Sequence, residues 1–171
     1  MFLNFLKKFL LKRKLKKALS LDSDGYSVDK IRTVGLLIDE TYFAKKEDLI
    51  RALEDNGVER EHIEVLLYHD KDKKRDANFP SLSLKSVSWS GSIEKEDVVQ
   101  FKATKFDLLI SYYDIEKAPL LLVTQRSKAS FKVGFSTIDK RLNHLLIQTT
   151  AEDHAIFIQE LFKYLKILNK I

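Results

Sequence analysis

Five short apolar runs constrain the fold of this chain more than any other feature. They lie in residues 33–38, 62–68, 106–113, 131–135 and 144–148. Each run is too short for an ordinary helix. Nearly continuous apolar runs of this length are typical of strands covered on both faces, as in parallel sheets. A further short strand is predicted around residues 87–89, where the alternation of apolar residues is imperfect.

Helical patterns separate most of these runs. Residues 45–56 carry apolar residues at helical spacing and end at Asn56-Gly57, a typical helix C-terminus. Further helices are predicted over 94–102, over 116–128 and at the C-terminus, where Thr150 is the predicted N-cap. The alternation predicts an α/β fold: a single three-layer domain with a mostly parallel sheet. About eight residues separate the last two strands, too few for a helical crossover, which favours an antiparallel pair and hence a mixed sheet.

Positive charge is concentrated at the N-terminus. Residues 1–21 contain seven basic residues and no acidic one, which leaves 23 basic and 25 acidic residues in 22–171. The net charge of +5 therefore comes from the N-terminal segment, while the body is slightly acidic. Any attraction to an anionic partner should come mainly from this segment or from a local patch. We interpret 1–21 as a basic amphipathic helix, 22–31 as a linker and 32–171 as the α/β domain.

The N-terminal helix is predicted to have two apolar stripes. At about 100° per residue, Phe2, Phe5, Leu6, Phe9 and Leu10 share one side, whereas Leu11, Leu15 and Leu19 lie roughly opposite. One stripe could dock on the domain while the other meets lipid or a protein partner. The alternative is a surface helix packed on its own domain with a solvated lysine face. The candidate contact residues for a membrane or partner are Phe2, Phe5, Leu6, Lys7, Lys8, Phe9, Lys12, Arg13, Lys14, Lys16 and Lys17.

Motifs for cofactors and metals are missing from the sequence. There is no cysteine, no P-loop, no H-E-x-x-H and no G-x-G-x-x-G after the first strand. A bound dinucleotide needs glycines at that turn so that the backbone can approach the phosphates. We therefore expect no cofactor and no metal site; His69-Asp70, which could offer two metal ligands, is interpreted as solvated.

The strand ends offer the most suggestive catalytic candidates. In open α/β sheets, ligands bind beyond the carboxyl ends of strands, near the point where strand order reverses. Asp39 and Glu40 end the first strand, and Ser111 to Asp114 end the strand that starts at Phe106. If these strands are neighbours, Asp39, Glu40, Ser111 and Asp114 could bind a polyol, a sugar or a cation, or supply a general base, with Tyr112 and Tyr113 beside them. The alternative is that Asp114 caps a helix and the tyrosines pack sideways.

A second group of candidates flanks the fourth run, residues 131–135. Arg126 and Ser127 precede it, and Arg141 and Asn143 follow it. An arginine with a hydroxyl and an amide could hold a phosphate or carboxylate. The alternative is that Arg141 only ties down its own loop through Asp139. Trp89, the only tryptophan, is interpreted either as an exposed contact residue or as a plug over a sheet edge.

Several stretches carry a resemblance to known proteins: Phe106-Asp-Leu-Leu-Ile-Ser-Tyr-Tyr113, Ser127-Lys-Ala-Ser-Phe-Lys-Val-Gly134, Asp139-Lys-Arg-Leu-Asn143 and the ending Glu160 to Lys170. They resemble a family of small uncharacterised proteins from Bacteroidetes. The resemblance implies a bacterial, cytosolic protein and supplies no catalytic residues. The order FDLLIS, helix, FKVGF is also similar to one half of heptosyltransferase-type glycosyltransferases, which implies more about the fold than about activity.

These observations favour a non-enzymatic binding or accessory protein. Its N-terminal helix would bring the domain to an anionic surface or a partner. The expected location is the bacterial cytoplasm, with peripheral attachment at the inner membrane as a further option. Two alternatives remain open from the sequence. One is a glycosyltransferase-like or hydrolase-like enzyme that uses the strand-end residues, and the other is an RNA- or ribosome-associated protein.

Overall fold

The computed structural model describes residues 2–18, 30–70 and 78–171, with side chains of the first range from Leu6 to Lys17. The predicted linker lies mostly outside these ranges, as do Leu19 and most of the charged loop after His69. The side chains of Phe2 and Phe5 lie outside them too.

Six strands form one parallel sheet in the order β3-β2-β1-β4-β5-β6. The chain first adds β2 and β3 on one side of β1, then returns to add β4, β5 and β6 on the other. The strand order therefore reverses between β1 and β4, which makes this the topological switch point. The strands are β1 (Val34–Asp39), β2 (Ile63–Tyr68), β3 (Ser81–Leu82), β4 (Leu108–Tyr112), β5 (Phe131–Phe135) and β6 (Leu145–Ile147).

Helices cover both faces of this sheet. Contacts between α2 and α5 place these two on one face, while α1, α3 and α4 pack together on the other. The three-layer α/β architecture predicted from the alternating pattern is confirmed. The helices are α1 (Phe2–Ala18), α2 (Lys46–Asp55), α3 (Glu96–Ala103), α4 (Ala118–Arg126) and α5 (His154–Ile167).

Three local predictions were wrong. First, β5 and β6 pair in parallel, not antiparallel. Their connection returns without a helix because its side chains Ile138 and Leu142 enter the core and replace the packing a crossover helix would supply. The sheet is accordingly not mixed.

The other two errors concern short segments. Residues 87–89 form no strand; Val87 makes only an isolated antiparallel bridge to Ile93. Thr150 is not the N-cap of α5, which starts at His154 after Asp153. The Thr150 hydroxyl instead lies 3.4 Å from an Asp153 carboxylate oxygen. The polar turn between β6 and α5 is thus longer than the sequence pattern suggested.

A close approach between the sheet and the α3 side fixes one glycine. A Cβ added at Gly35 in β1 would lie 2.6 Å from Cδ2 of Phe106, whose ring packs on Phe101 of α3 at 5.0 Å. Real Cβ atoms do not approach ring carbons so closely. The missing side chain of Gly35 therefore lets Phe106 lie flat under the centre of the sheet.

We expect Gly35→Ala to lower the free energy of unfolding by about 1–3 kcal/mol, because the new methyl group overpacks a dense core. Urea unfolding of the full chain measures this. Adding Phe106→Leu should restore part of the loss by making room. Gly57, where a Cβ would meet nothing within 4 Å, does not serve as a matched control because its φ is +92°.

If Gly35→Ala unfolded at the same urea concentration as the unmodified chain, the close packing of Phe106 on β1 would be refuted.

Candidate functional site

The switch point holds an internal ion cluster. Lys117, which precedes α4, places its ammonium nitrogen 2.7 Å from Asp39 Oδ2 and 3.0 Å from Asp70 Oδ2. Tyr68 donates its hydroxyl to Asp70 Oδ1 at 2.8 Å. We call Asp39, Tyr68, Asp70 and Lys117 the Lys117 cluster. It joins the ends of β1 and β2 to the start of α4.

Burial and hydrogen bonding set the charges in the Lys117 cluster. Only 6% of the Asp39 side chain and 10% of the Lys117 side chain is exposed. Burial, together with the bond to Asp70, raises the pKa of Tyr68, so its phenol stays protonated. Burial favours protonation of Asp70 as well, but the bonds from Tyr68 and Lys117 outweigh it and lower the pKa of Asp70. One ammonium thus lies between two carboxylates at the place where ligands bind in sheets of this order.

The other strand-end candidates point to separate partners. Glu40 pairs with Lys46 and lies 3.3 Å from His69 Nε2. Ser111 is buried 3.1 Å from the hydroxyl of Thr124 in α4. Asp114 accepts a hydrogen bond of 2.9 Å from the backbone N–H of Ala151, before α5. β1 and β4 are neighbours, as the candidate site required. The side chains at their ends, however, bind separate partners within the protein and do not converge on one point.

The two tyrosines at the end of β4 support opposite layers. Tyr112 donates to the Ala151 carbonyl at 2.7 Å and packs edge-on against Phe157 of α5. The hydroxyl of Tyr113 lies 2.7 Å from that of Thr124 in α4. Burial raises the pKa of both phenols. This is the sideways packing that the sequence left open as the alternative.

Geometry at the turn after β1 and at β2 bears on cofactors and metals. The turn from Asp39 to Phe43 contains no glycine, the residue type that lets a backbone approach a dinucleotide phosphate. His69 faces Glu40 and Asp70 faces Lys117, so the two side chains do not converge on a common point. Among described residues, Glu59, Glu61 and His62 have metal-ligand spacing, but all three are exposed before β2.

The residues around β5 also separate. Arg126 donates to the carbonyl of Gly91 at 2.8 Å, and the Ser127 hydroxyl accepts from the N–H of Ala129. Arg141 binds both carboxylate oxygens of Asp139 and holds the pKa of that carboxyl at about 2. The structure therefore places Arg126 beside the loop at Gly91, and Arg141 in its own loop.

Asn143 has an unusual environment. The residue is buried, and neither its Nδ2 nor its Oδ1 has a hydrogen-bond partner in the described part of the chain. A Cβ at Gly134 would lie 2.5 Å from Nδ2, so only glycine fits there. Buried amides are normally hydrogen-bonded, so the side chain of Asn143 is an exception among the described residues.

The first helix docks on α4 through one side only. Leu11 and Leu15 are buried, with exposed fractions of 4% and 3%. Lys12 and Lys16 both reach Glu116, at 2.7 and 3.1 Å. One of the two apolar stripes predicted for this segment is therefore its contact with the domain.

The opposite side of α1 remains uncovered by the described residues. Leu6, Phe9 and Leu10 are 36%, 55% and 46% exposed. Arg13 and Lys17 are exposed too, and neither forms an ion pair within the described ranges. We call Leu6, Phe9, Leu10, Arg13 and Lys17 the outer face of α1. Its first half is apolar and its second half is basic.

Trp89 lies beside this helix. Its side chain is 56% exposed, and the ammonium nitrogen of Lys7 lies 5.7 Å from the ring centroid. Lys7 also donates to the Leu84 carbonyl at 3.4 Å. Of the two readings left open for Trp89, the exposed contact residue fits this position. Taken together, the outer face of α1 and Trp89 form an exposed apolar and basic surface on the α1 side of the domain.

Sequence reasoning missed Lys117, Asp70 and Glu116 as organising residues. All three follow strand ends, and the rule that directs attention to such loops could have found them. What sequence could not show is their pairing, because the partners are separated by up to about a hundred positions along the chain.

We expect Lys117→Met to lower the free energy of unfolding by about 3 kcal/mol, because it leaves the buried Asp39 carboxylate without its cation. Adding Asp39→Asn should restore part of this loss. Lys163→Met, which breaks an exposed pair with Glu160, should leave the free energy of unfolding nearly unchanged. Urea unfolding of the four proteins checks this; equal losses for Lys117→Met and Lys163→Met would contradict it.

A second prediction concerns the docking of α1. Burial raises the pKa of Glu116, but the bonds from Lys12 and Lys16 outweigh it, and the net pKa lies below the ordinary 4.5. Docking should thus be fully stabilised by Glu116 above pH 4.5 and weaken as the pH falls through the lowered pKa. Glu116→Gln should remove this contribution at neutral pH and speed amide exchange over residues 6–17 about threefold.

Hydrogen exchange followed by mass spectrometry measures this effect, with Glu152→Gln as the control because Glu152 is exposed elsewhere. Unchanged exchange over α1 in Glu116→Gln would show that its ion pairs do not hold the helix.

Comparisons with known proteins give one match. Residues 7–168 match the family described as Family of unknown function (DUF6913), a range that includes most of α1 and the whole sheet. No curated protein and no solved structure matches the chain. In the described ranges, no helix is both long and apolar enough to cross a membrane. Because the match spans nearly the entire chain, the protein belongs to the Family of unknown function (DUF6913).

Proposed function

We propose that this protein is a non-enzymatic binding protein whose first helix attaches the α/β domain to an anionic lipid surface. The single observation that carries the proposal is the outer face of α1. Three large apolar side chains stay exposed on a helix whose other side is already docked on the domain. Helices that lie in a membrane interface combine such apolar side chains with lysine and arginine.

The two sides of α1 differ in burial, and this difference supports the proposal. Leu11 and Leu15 hold the helix on α4, so exposure of Phe9 and Leu10 does not come from an undocked segment. A helix that served only to complete the core would need one apolar side. The second apolar side stays about half exposed in the described part of the domain, which favours an external contact.

The charges narrow the kind of contact. Lys12 and Lys16 are engaged by Glu116, which leaves Arg13 and Lys17 exposed beside the apolar residues. The first 21 residues contain no acid, whereas residues 22–171 are slightly acidic. An anionic surface would therefore attract α1 and repel the remainder of the domain, which orients the protein with α1 towards the surface. This corresponds to peripheral attachment at the inner face of a bacterial membrane.

Trp89 adds a second element to the same surface. Tryptophan is enriched at membrane interfaces because its ring is apolar while its N–H can bond to water or headgroups. The position of Trp89 beside Lys7 extends the exposed surface from α1 onto the loop between β3 and α3.

The Lys117 cluster weighs against the enzymatic alternative. A glycosyltransferase-like or hydrolase-like site at Asp39, Glu40, Ser111 and Asp114 needs carboxylates that converge on a substrate. Asp39 is paired with Lys117, Glu40 with Lys46, and Asp114 with the Ala151 N–H. An RNA- or ribosome-bound role would use the basic residues of α1 but gives no reason for the exposed Phe9.

The test is co-sedimentation of the full chain with vesicles of phosphatidylcholine alone or mixed equally with phosphatidylglycerol. We expect binding to the mixed vesicles that weakens with salt, and a loss of affinity of about tenfold or more in Leu6→Gln/Phe9→Gln. Arg13→Gln/Lys17→Gln should also weaken binding and reduce its dependence on salt.

The matched control is Ile156→Gln/Ile167→Gln, which removes two apolar side chains that are 48% and 65% exposed on α5. Its affinity should equal that of the unmodified protein. Equal binding by the α1 and α5 variants would refute the proposal, as would binding to polyuridylic acid that survives Leu6→Gln/Phe9→Gln while vesicles do not bind.

A further inference from the structure

A small pocket lies on the inner side of α1. It has a volume of about 110 Å³ and is bounded by α1, by α4 and by the loop at Ser90 and Gly91. Its floor is apolar, from Leu11, Leu15 and Leu122, while Lys14, Gln125 and Arg126 supply polar groups at its rim. The pocket is separate from the outer face of α1, because Leu11 and Leu15 lie on the opposite side of the helix.

Positive charge collects here without compensation. Lys14 donates to the Ser90 carbonyl at 3.4 Å, and Arg126 donates to the Gly91 carbonyl at 2.8 Å. Lys102 of α3 is close enough to Arg126 for its pKa to be lowered, mainly by burial and then by the arginine's charge. Within the described ranges, no carboxylate pairs with any of these three cations. Like charges drawn from three helices repel one another unless an anion joins them.

The loop that closes the pocket is rich in hydroxyl groups. Ser88 Oγ lies 2.7 Å from the Oγ atoms of both Ser90 and Ser92, and accepts from the Ser92 N–H at 2.9 Å. These bonds turn the loop back on itself at Gly91, where φ is +91°. That conformation favours glycine, and a Cβ there would lie 3.5 Å from Leu11 Cδ2 and 3.8 Å from Arg126 Nη2. Gly91 therefore lies in contact distance of both Leu11 and Arg126, at the wall of the pocket.

We propose that this pocket binds a phosphate monoester group, with Arg126 and Lys14 as its charged ligands and the Ser90 hydroxyl as a neutral one. Each cation uses one donor on the loop and retains others: Arg126 keeps Nη2 and Nε, and Lys14 keeps two ammonium hydrogens. The terminal oxygens of a phosphate monoester point in three directions, whereas the two oxygens of a carboxylate lie in one plane. Donors that converge from several directions therefore suit a phosphate better. Lys102 adds attraction from the side without a direct bond.

The test uses the full chain and inorganic phosphate as the probe. Backbone amides of Ser90 and Gly91 should shift on titration in a ¹H–¹⁵N spectrum, with saturation. We expect Arg126→Gln and Lys14→Gln each to weaken binding about tenfold, because each removes a charge-assisted hydrogen bond. Arg13→Gln, which removes one charge from the outer face of α1, should leave the affinity within about twofold and serves as the matched control.

Absence of saturable shifts at Ser90 and Gly91, or equal weakening by Arg13→Gln and Lys14→Gln, would overturn the phosphate site. If Arg126→Gln fails to fold, Lys14→Gln and Ser90→Ala decide the matter, since both change residues at the exposed rim of the pocket.

Two sources of the phosphate group are distinguished by a second arm. Vesicles that contain phosphatidic acid present a monoester, whereas those with phosphatidylglycerol present only a diester. If the site takes a lipid headgroup, Lys14→Gln weakens binding to the former more than to the latter; if it takes a soluble phosphate, inorganic phosphate binds but both vesicle types respond equally to Lys14→Gln. Phosphate binding without any vesicle binding would refute the proposed function and support this site. Vesicle binding without phosphate binding would support the proposed function and refute this site.

Discussion

The central pairing of β1 with β4 is the constraint on which the rest of the structure depends. Asp107 sets its register at the amino ends: its Oδ2 accepts from the N–H groups of Arg32 and Thr33, both at 2.9 Å, while its own N–H donates to the Thr33 hydroxyl. The direct consequence is that the chain reverses its order across these two strands and that their carboxyl ends open side by side. The loops of Asp39, Asp70 and Glu116 all lie at that edge.

The charged residues at this edge of the sheet form ion pairs that connect elements of the fold. Lys117 joins two strand ends to α4, Glu116 holds two lysines of α1, and Arg141 donates to the Lys16 carbonyl while it binds Asp139. Each of these contacts fastens one layer to another. A sheet edge that in other proteins of this strand order receives a ligand is here bound to the protein's own cations. Exposed apolar and basic side chains lie instead on α1 and at Trp89.

Sequence reasoning recovered what depends on local periodicity. The strands at Val34–Asp39, Ile63–Tyr68 and Phe131–Phe135 were predicted to within a residue or two, because a buried strand has a distinct apolar run. The two stripes of α1 were predicted for the same reason. The parallel pairing of β6 was not, because it depends on Ile138 and Leu142 entering the core from a loop without periodicity. The Lys117 cluster and the pocket at Arg126 could not be predicted either. Each brings together side chains from separate elements, and the fold must be known before one can tell which elements are neighbours.

A helix that is already docked on its domain would lose less conformational entropy on binding to a surface than a free segment would. A free segment as short as α1 is marginally helical in water, so attachment through an unstructured tail would include the loss of backbone freedom as the helix forms. In this protein, Leu11 and Leu15 already fix the backbone against α4. The entropy lost in ordering the helix backbone is therefore lost during folding of the domain, and a surface contact of Phe9 and Leu10 would not include that loss. Because α1 is docked on α4, the orientation of the helix at a surface would also fix the orientation of the sheet.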